Sequence, residues 1–280
     1  MKTILRSLWR RAIISLGYFL LIESGIRLIF QEQFVDALMK NERYRDAKRL
    51  NRYEGQCFSR HGQDGIIAEI FRRIGFQHKT FVEVGCGNGL ENNTAYLLLK
   101  GWSGFWFDGG ESEIAECKKH CGEYLKKGVL KVQGAMLTKE NIGEIFRKAG
   151  VPLEFDLLSV DVDRNTYQLL EALRDYKPRV IVVEYNSSIL PADEWIVEYD
   201  PAKVWNNTFY FGASLKSLEI LGDRMGYSLV GCEILGADAF FVRKDLIGDH
   251  FCQPYTAENH YEPPRFYLVR RNGHRPSFIG

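Results

Sequence analysis

The chain has 280 residues, of which 45% are hydrophobic and 26% charged, and its formal net charge is +1. This length is enough for one sizeable hydrophobic core with terminal extensions, and the composition is that of an ordinary folded globular protein. The near-neutral charge excludes the strongly basic character of many nucleic-acid-binding proteins, so we expect no nucleic acid among the partners.

The first 30 residues combine basic side chains with an apolar run. Four basic residues come first and no acid occurs before Glu23; they are Lys2, Arg6, Arg10 and Arg11, followed by the apolar residues 12–22. This run is too short to span about 30 Å of hydrocarbon. Three interpretations stay open: an amphipathic helix that packs on the domain or pairs two subunits, attachment to a membrane surface, and a targeting segment. Our hypothesis is peripheral membrane contact through residues 1–30 of a cytoplasmic protein.

The charge pattern also predicts where the folded domain begins. Residues 31–54 are rich in charged side chains and are predicted to form a solvated helix or linker. The predicted organisation is an N-terminal helical extension with a charged linker over residues 1–54, a folded domain over 55–245, and a C-terminal tail over 246–280.

Within this domain, apolar strand-like runs alternate with helical periods, which is typical of a parallel α/β sheet. The predicted helices are 64–74, 91–100, 112–126, 138–149, 167–175 and 214–224, and the predicted strands are 80–84, 104–108, 129–133, 155–161 and 180–184. Two further strands, 227–233 and 237–243, are separated by a short turn and are predicted to pair as an antiparallel hairpin.

A glycine-rich turn follows the first strand directly. Gly85, Gly87 and Gly89 lie between that strand and a helix, so backbone can approach a ligand and the helix directs free N–H groups towards it. Glu83 stands just before the turn, and Asp108 ends the second strand, where an acid suits the two hydroxyls of a ribose. This arrangement indicates a cofactor that contains a nucleoside.

The order of elements narrows the fold class. Five βα units that end in a hairpin differ from the dinucleotide-binding fold, which carries a sixth parallel strand and the spacing Gly-x-Gly-x-x-Gly. The predicted fold class is therefore α/β, a Rossmann-like class I methyltransferase fold. Its sheet would be seven-stranded and mostly parallel, would end in an antiparallel hairpin, and would carry helices on both faces.

Three segments in this order resemble the FkbM-type S-adenosylmethionine-dependent methyltransferases, over roughly residues 57–243. The segments are Phe58-Ser-Arg-His-Gly-Gln-Asp-Gly65, Phe81-Val-Glu-Val-Gly-Cys-Gly-Asn-Gly-Leu-Glu-Asn-Asn-Thr94 and Asp156-Leu-Leu-Ser-Val-Asp-Val-Asp163. The resemblance implies S-adenosylmethionine as cofactor. The implied contacts are Glu83, Gly85, Gly87 and Asn88 at its methionine and ribose, Asp108 at the ribose hydroxyls, Ala135 and Met136 at the adenine, and Gln63 and Asp64 at a closing segment.

Helix capping stays an open alternative for three of these polar residues, namely Asp108, Gln63 and Asp64. The chain also departs from the family's pattern in two places. Gly109 and Gly110 make a flexible continuation after the second strand, and Arg164 stands where relatives tend to have glycine. The bulky cation leaves open the role of the acid that precedes it.

Acids also end the fourth and fifth strands. Asp161 and Asp163 follow one strand, and Glu184 and Asn186 follow the next. Neighbouring strand ends face the same crevice, and oxygen ligands suit Mg²⁺. We predict Asp161 and Asp163 as catalytic residues, with Asp161 as general base if no metal is used, and Asp161, Glu184 and Asn186 as Mg²⁺ ligands. Helix caps and contacts to the cofactor's amino group are alternatives.

The segment between Asn186 and Ala213 is rich in aromatic residues and has little helix or strand pattern. A long loop beside strand ends is often functional, although it can also only cover a sheet edge. We predict O-methylation of a sugar-like or small-molecule hydroxyl. The alternatives are a metal-dependent glycosyltransferase that uses Asp161 and Asp163, and a catalytically silent methyltransferase fold that acts as a binding module. No pattern encodes the acceptor or the oligomeric state.

Overall fold

The computed structural model describes residues 25–268 and 276–278. The chain divides into two compact units, residues 1–46 and 47–280. In the first unit, residues 25–39 form helix α1, and Glu42–Tyr44 form a 3-10 turn. Most of the segment predicted to contact a membrane, residues 1–24, lies outside the described residues.

The second unit is an α/β domain. Its strands are β1 (Thr80–Val84), β2 (Ser103–Asp108), β3 (Leu130–Gly134), β4 (Glu154–Val160), β5 (Lys177–Glu184), β6 (Tyr227–Cys232) and β7 (Asp238–Arg243). Its α-helices among the described residues are α2 (Gln63–Ile74), α3 (Ala95–Leu99), α4 (Glu111–His120), α5 (Gly122–Lys126), α6 (Ile142–Ala149), α7 (Thr166–Ala172), α8 (Leu215–Met225) and α9 (Ala257–His260).

The seven strands form one sheet in the order β3-β2-β1-β4-β5-β7-β6. Strands β1 to β5 are parallel neighbours, and β7 is antiparallel to both β5 and β6. This order confirms the predicted Rossmann-like class I methyltransferase fold with its terminal hairpin. The order reverses direction between β1 and β4, and in such sheets ligands bind at the carboxyl ends of the strands beside this switch point.

Alternating strand residues build a core on each face of the sheet. Val82 faces one side, where α6, α7 and α8 cover the sheet. Phe81 faces the other side, where it packs with residues of α2, α3 and α4. Helices on both faces bury β1 from Phe81 to Val84, including the acid Glu83, as expected for a central parallel strand.

Two predicted helices begin later than the sequence pattern indicated. The helix expected from residue 91 begins at Ala95 because the carboxylate of Glu83 accepts the backbone N–H groups of Asn93 and Thr94. The helix expected from residue 138 begins at Ile142 because Asn141 Oδ1 accepts Thr138 N at 2.8 Å. At both places, a side-chain oxygen accepts the backbone N–H groups where the first helical turn was expected.

The helix expected over residues 112–126 is divided into α4 and α5. The break falls at Cys121, with Gly122 following, and glycine is unfavourable in a helix interior. The compact domain also begins earlier than residue 55. Leu50 and Asn51 are buried, and Asn51 Nδ2 donates to the carbonyl oxygen of Cys232 at 2.8 Å.

Part of the predicted tail packs on the domain as well, since Phe251 and Ala257 have no solvent exposure. All six cysteines lie in described residues and are free thiols. In the described part of the chain, no helix combines the length and the hydropathy needed to cross a membrane.

Candidate functional site

The glycine turn after β1 is held between the ends of β2 and β4. Gly85 N and Cys86 N both donate to the carbonyl oxygen of Phe107, at 2.9 and 3.2 Å. Gly85 has a φ of +87°, and a Cβ at this position would lie 1.6 Å from the carbonyl oxygen of Asp161. Only glycine can therefore bring the end of β1 so close to the end of β4.

Gly87 has the opposite surroundings, because it faces open space. Its φ is +50°, and a Cβ built there would meet no atom within 4 Å. Its N–H donates to Asp108 Oδ2 at 2.7 Å, and Asp108 Oδ1 accepts Gly110 N at 2.8 Å. The half-buried Asp108 carboxylate thus lies beside the open space at the tip of β2, and its contact with ribose hydroxyls stays a prediction.

A second wall of this space comes from the end of β3. Ala135 N donates to the carbonyl oxygen of Asp108 at 2.8 Å, which fixes the segment that carries the exposed Met136. A Cβ on Gly109 would lie 3.0 Å from Met136 Cε. The sequence pattern did not explain the glycine at position 109. In the structure, it allows the Met136 side chain to approach the end of β2.

Glu83 lies beneath the crevice rather than at its surface. The side chain is buried, and its two oxygens accept the backbone N–H groups of Asn93 and Thr94 and the hydroxyl of Thr94. Trp106 Nε1 donates to that hydroxyl at 2.7 Å. Burial raises the pKa of Glu83 to about 7 despite these hydrogen bonds. The structure thus gives Glu83 a role in positioning the residues after the glycine turn, where the sequence predicted a cofactor contact.

Asn88 and Asp64 are also engaged within the protein. Asn88 Oδ1 accepts Leu90 N at 3.1 Å, inside the turn. Asp64 Oδ2 accepts three backbone N–H groups, from Cys57, Phe58 and Ser59, at 2.7 to 2.9 Å. The buried Asp64 carboxylate therefore organises the segment before α2, and burial raises its pKa. These bonds run to residues before α2 and not to the helix's own N–H groups, so Asp64 is neither the predicted cofactor contact nor a cap of that helix.

Three acids converge at the ends of β4 and β5. Carboxylate oxygens of Asp161, Asp163 and Glu184 all lie within 4.8 Å of one another. Glu184 Oε2 is shielded from solvent and has no hydrogen-bond partner in the described structure. Asp163 has a φ of +58°, a backbone conformation that side chains rarely adopt. The three carboxylates form an acidic group of hard oxygen donors, which we call the acid cluster.

Asn186, predicted as the third metal ligand, does not belong to the acid cluster. Its side chain is fully buried, and its Nδ2 donates to the carbonyl oxygens of Phe209 and Phe211 at 2.6 and 2.9 Å. Its Oδ1 accepts Ser188 N at 3.1 Å. Both ends of the amide are thus used to hold the following loop, and Asp163 takes the place beside Asp161 and Glu184.

The charge of Arg60 offsets only part of the electrostatic repulsion within the acid cluster. The pKa of Asp161 is raised to about 7, mainly because the surrounding protein reduces hydration of the carboxylate and then because of the charges of Asp238 and Asp163. Burial and then the neighbouring carboxylates raise the pKa of Glu184. Loss of hydration raises the pKa of Asp163. The Arg60 guanidinium lowers the pKa of Asp161 and Asp163. Both aspartates are open to solvent on the crevice side, which moderates their loss of hydration.

Asp238, which the sequence reasoning missed, lies behind the acid cluster. It begins β7 and pairs with Glu184 in the antiparallel register. Its side chain is buried, and its Oδ2 accepts Gln63 Nε2 at 2.7 Å. Burial raises its pKa. An available signal was the hairpin itself, because the amino end of an antiparallel strand lies beside the carboxyl end of its parallel neighbour.

The buried Arg164 turns away from the crevice and holds the loop over residues 187–212. Its guanidinium donates to the carbonyl oxygen of Glu198 at 3.1 Å and lies over the ring of Tyr210, 5.3 Å from the centroid. Its own carbonyl oxygen accepts Gly212 N at 3.0 Å. The cation at position 164 thus has a structural role in holding the loop, and Asp163 makes no direct ion pair with its neighbour in the chain.

A separate cleft of 340 Å³ lies away from these groups. It is lined by residues at the amino end of β5 and on α7 and α8, including Arg174, Lys177 and Arg224. Ligands of open α/β sheets bind at the opposite edge, at the carboxyl ends of the strands. The glycine turn, Asp108 and the acid cluster all lie at that carboxyl edge and form the candidate site.

No family model matches the chain, and no curated protein matches it. Solved structures do show likeness. A putative caffeoyl-CoA O-methyltransferase from Staphylococcus aureus is 10% identical, with 77% of this chain and 99% of that chain covered and a TM-score of 0.48. The N-terminal domain of EvdMO1 with SAH bound is 14% identical, with 68% and 80% covered and a TM-score of 0.42.

A third similar structure is an S-adenosylmethionine-dependent methyltransferase from Clostridium acetobutylicum ATCC 824. It is 12% identical, with 63% of this chain and 89% of that chain covered and a TM-score of 0.40. Because the identities and TM-scores are this low, we assign the fold from the strand order of the sheet and not from these alignments.

Proposed function

We propose that this chain is an S-adenosylmethionine-dependent methyltransferase of the FkbM type, which methylates a hydroxyl oxygen of a small-molecule or carbohydrate acceptor. One observation carries the proposal. At the switch point of the sheet, the open space over Gly87 lies beside the Asp108 carboxylate, and the Gly85 turn packs directly on Asp161 at the adjoining strand end. A nucleoside-binding surface and an acidic surface therefore adjoin each other.

The residues present fit the cofactor. The space over Gly87 admits a ligand against the backbone, and charge-assisted hydrogen bonds from ribose hydroxyls suit the Asp108 carboxylate. The exposed Met136 and Ala135 offer an apolar wall for the adenine. When bound, S-adenosylmethionine supplies an electrophilic methyl group on a positively charged sulfur.

The acid cluster supplies the complementary chemistry. In a reaction without a metal ion, Asp161, open to solvent on the crevice side, is placed to accept the proton of an acceptor hydroxyl. Asp163 and Glu184 hold the acceptor's polar end close to that base, and orientation of this kind contributes much of the rate in group transfer. The products would be the methylated acceptor oxygen, S-adenosylhomocysteine and a proton on the carboxylate.

We include a divalent cation, Mg²⁺ for preference, in this proposal. Two observations support it: the donor set consists of three carboxylates within reach of one ion, and Glu184 Oε2 is buried without a hydrogen-bond donor. Asp161, Asp163 and Glu184 would hold the ion. A cation there would offset the mutual repulsion of the carboxylates and lower the pKa of an acceptor hydroxyl.

The loop after β5 supports a carbohydrate or other polyhydroxylated acceptor. Trp205, Phe209 and Tyr210 are exposed on a loop that Asn186 and Arg164 fasten to the ends of β5 and β4. Aromatic faces beside carboxylates provide stacking surface together with hydrogen-bond acceptors, a combination that suits a sugar ring.

Calorimetric titration of S-adenosylhomocysteine into the full chain tests the cofactor assignment. We expect saturable binding, no binding of UDP-glucose, and affinity at least about tenfold weaker in Asp108→Asn, since a charge-assisted hydrogen bond is worth about 1.5–3 kcal/mol. Asp249→Asn, a surface acid paired with Lys48, is the matched control and should leave the affinity unchanged. Binding of UDP-glucose alone would favour the glycosyltransferase alternative and refute the proposal.

A further inference from the structure

Arg60 lies in a segment that reaches the same edge of the sheet as the acid cluster. This segment, residues 57–62, leads into α2, whose first residue Gln63 donates through Nε2 to Asp238 Oδ2 at 2.7 Å. Asp238 in turn pairs with Glu184 in the register of β5 and β7. The segment that carries Arg60 therefore lies beside the carboxyl end of β5, where the acid cluster is found.

The positive charge of Arg60 acts on the acids at this edge. Loss of hydration raises the pKa of Asp161, Asp163 and Asp238. The Arg60 guanidinium opposes this effect and lowers all three pKa values. Arg60 is nevertheless exposed, and in the described part of the chain its guanidinium makes no hydrogen bond and no ion pair within 4.0 Å. Its N–H groups are therefore free to bind a ligand in the crevice.

The backbone on both sides of Arg60 is fixed. Ser59 N donates to Asp64 Oδ2 at 2.9 Å, and His61 N donates to Gln63 Oε1 at 2.9 Å. Only the Arg60 side chain thus needs to be ordered when a ligand binds, which keeps the entropic cost of binding low. The arrangement therefore suits a residue that binds a ligand.

The charges of the crevice select among anionic ligands. A guanidinium recognises a carboxylate or a phosphate through paired N–H groups. The acid cluster repels a ligand whose only charge is negative, such as inorganic phosphate. The amino-acid end of S-adenosylmethionine is different, because its α-carboxylate stands beside an α-ammonium group and the two charges cancel. Arg60 can therefore bind this carboxylate without bringing a net negative charge to the acids.

The order of the strands places Arg60 at the corresponding end of the cofactor. Asp108 ends β2, the glycine turn follows β1, and Asp161 follows β4. Neighbouring strands lie about 4.8 Å apart, so the ends of β2 and β4 are separated by about 10 Å. A cofactor with its ribose at Asp108 and its adenosyl group over Gly87 would extend its amino-acid end towards β4, on the side where Arg60 acts.

We propose that Arg60 binds the α-carboxylate of S-adenosylmethionine and of S-adenosylhomocysteine. This inference rests on the proposed function, because it requires the adenosyl group to lie over Gly87. Asp108 at the ribose and Arg60 at the carboxylate would hold opposite ends of the cofactor and so fix its direction along the strand ends.

Calorimetric titration with two ligands tests this inference. 5′-Methylthioadenosine has the nucleoside and the sulfur of S-adenosylhomocysteine but lacks the amino-acid end. In Arg60→Gln, S-adenosylhomocysteine should bind at least about tenfold more weakly and 5′-methylthioadenosine as tightly as in the wild type, because only the former has a carboxylate. Arg60→Lys, which keeps the charge without the paired N–H groups, should have an intermediate affinity for S-adenosylhomocysteine. Arg174→Gln is the matched control, because Arg174 is also exposed but lies before β5 at the opposite edge of the sheet; its substitution should change neither affinity.

Two results would overturn this inference alone. One is an unchanged affinity of Arg60→Gln for S-adenosylhomocysteine. The other is an equal loss of affinity for both ligands, which would show that Arg60 acts through the fold of the site. If the wild type binds neither ligand, the proposed function is refuted and this inference with it. Binding of 5′-methylthioadenosine at wild-type affinity also confirms that the site of Arg60→Gln is folded.

Discussion

Replacement of Gly87 by alanine should have two effects that can be measured separately. Backbone strain should lower the stability of the domain, and the added methyl group should weaken binding of the cofactor. Gly87 has a φ of +50°, and an added Cβ would meet no protein atom within 4 Å. The substitution therefore costs only the left-handed conformation of a residue with a Cβ, about 1–2 kcal/mol. For a domain of this size, that corresponds to a fall in melting temperature of about 2–8 °C.

Cofactor affinity should fall as well, by a free energy at least comparable to the strain, because the new methyl group occupies the space assigned to the ligand. We expect S-adenosylhomocysteine to bind at least about tenfold more weakly to Gly87→Ala, a loss of about 1.4 kcal/mol. Calorimetric titration measures this affinity directly, and thermal unfolding without ligand measures the strain. The two quantities come from the same protein preparation.

Gly101→Ala is the matched control. Gly101 also has a positive φ, +75°, and a Cβ there would likewise meet no atom within 4 Å, but it precedes β2 at the opposite edge of the sheet. Its stability should fall by a similar amount and its affinity for S-adenosylhomocysteine should not change. If Gly87→Ala stays folded and binds as tightly as the wild type, the space over Gly87 is not the cofactor site.

Two further predictions concern the acids. Titration of Mg²⁺ should show one site in the wild type and in Asp249→Asn, and loss of that site in Asp161→Asn; absence of heat in the wild type would remove the metal from the proposal. Burial raises the pKa of Glu83 from 4.5 to about 7, so its contribution to stability is present below pH 4.5 and is lost as the pH rises through 7. That loss amounts to about 3 kcal/mol. In urea unfolding between pH 5 and 8, the free energy of unfolding of Glu83→Gln should therefore decrease less with pH than that of the wild type. An unchanged pH dependence would contradict the prediction.

The fold could be predicted from the sequence because its signals are local and repeated. Most strands contain a short apolar run bounded by turn residues, and the two last runs, which form β6 and β7, are too close together for a crossover connection. The strand pattern likewise placed Gly85 just after β1 and Asp108 at the end of β2, and their contacts with a cofactor stay predictions.

The rest of the site depends on partners that are distant in the chain. Nothing local to Glu83 shows that its oxygens accept N–H groups ten and eleven residues later, or that Asn186 holds the loop at Phe209. In the sequence, Arg164 left open the role of the acid that precedes it. In the structure, its side chain turns away and holds the following loop, because tertiary packing sets the direction of a side chain. Asp238 could not be predicted from the ends of the parallel strands, because it begins the antiparallel strand β7.

The most direct test of the central claim is a crystal structure of the chain soaked with S-adenosylhomocysteine. We expect the adenosyl group over Gly87, ribose hydroxyls within hydrogen-bond distance of the Asp108 carboxylate, and the adenine against Met136. Density for the nucleoside elsewhere on the molecule, or a ribose that makes no contact with Asp108, would contradict it.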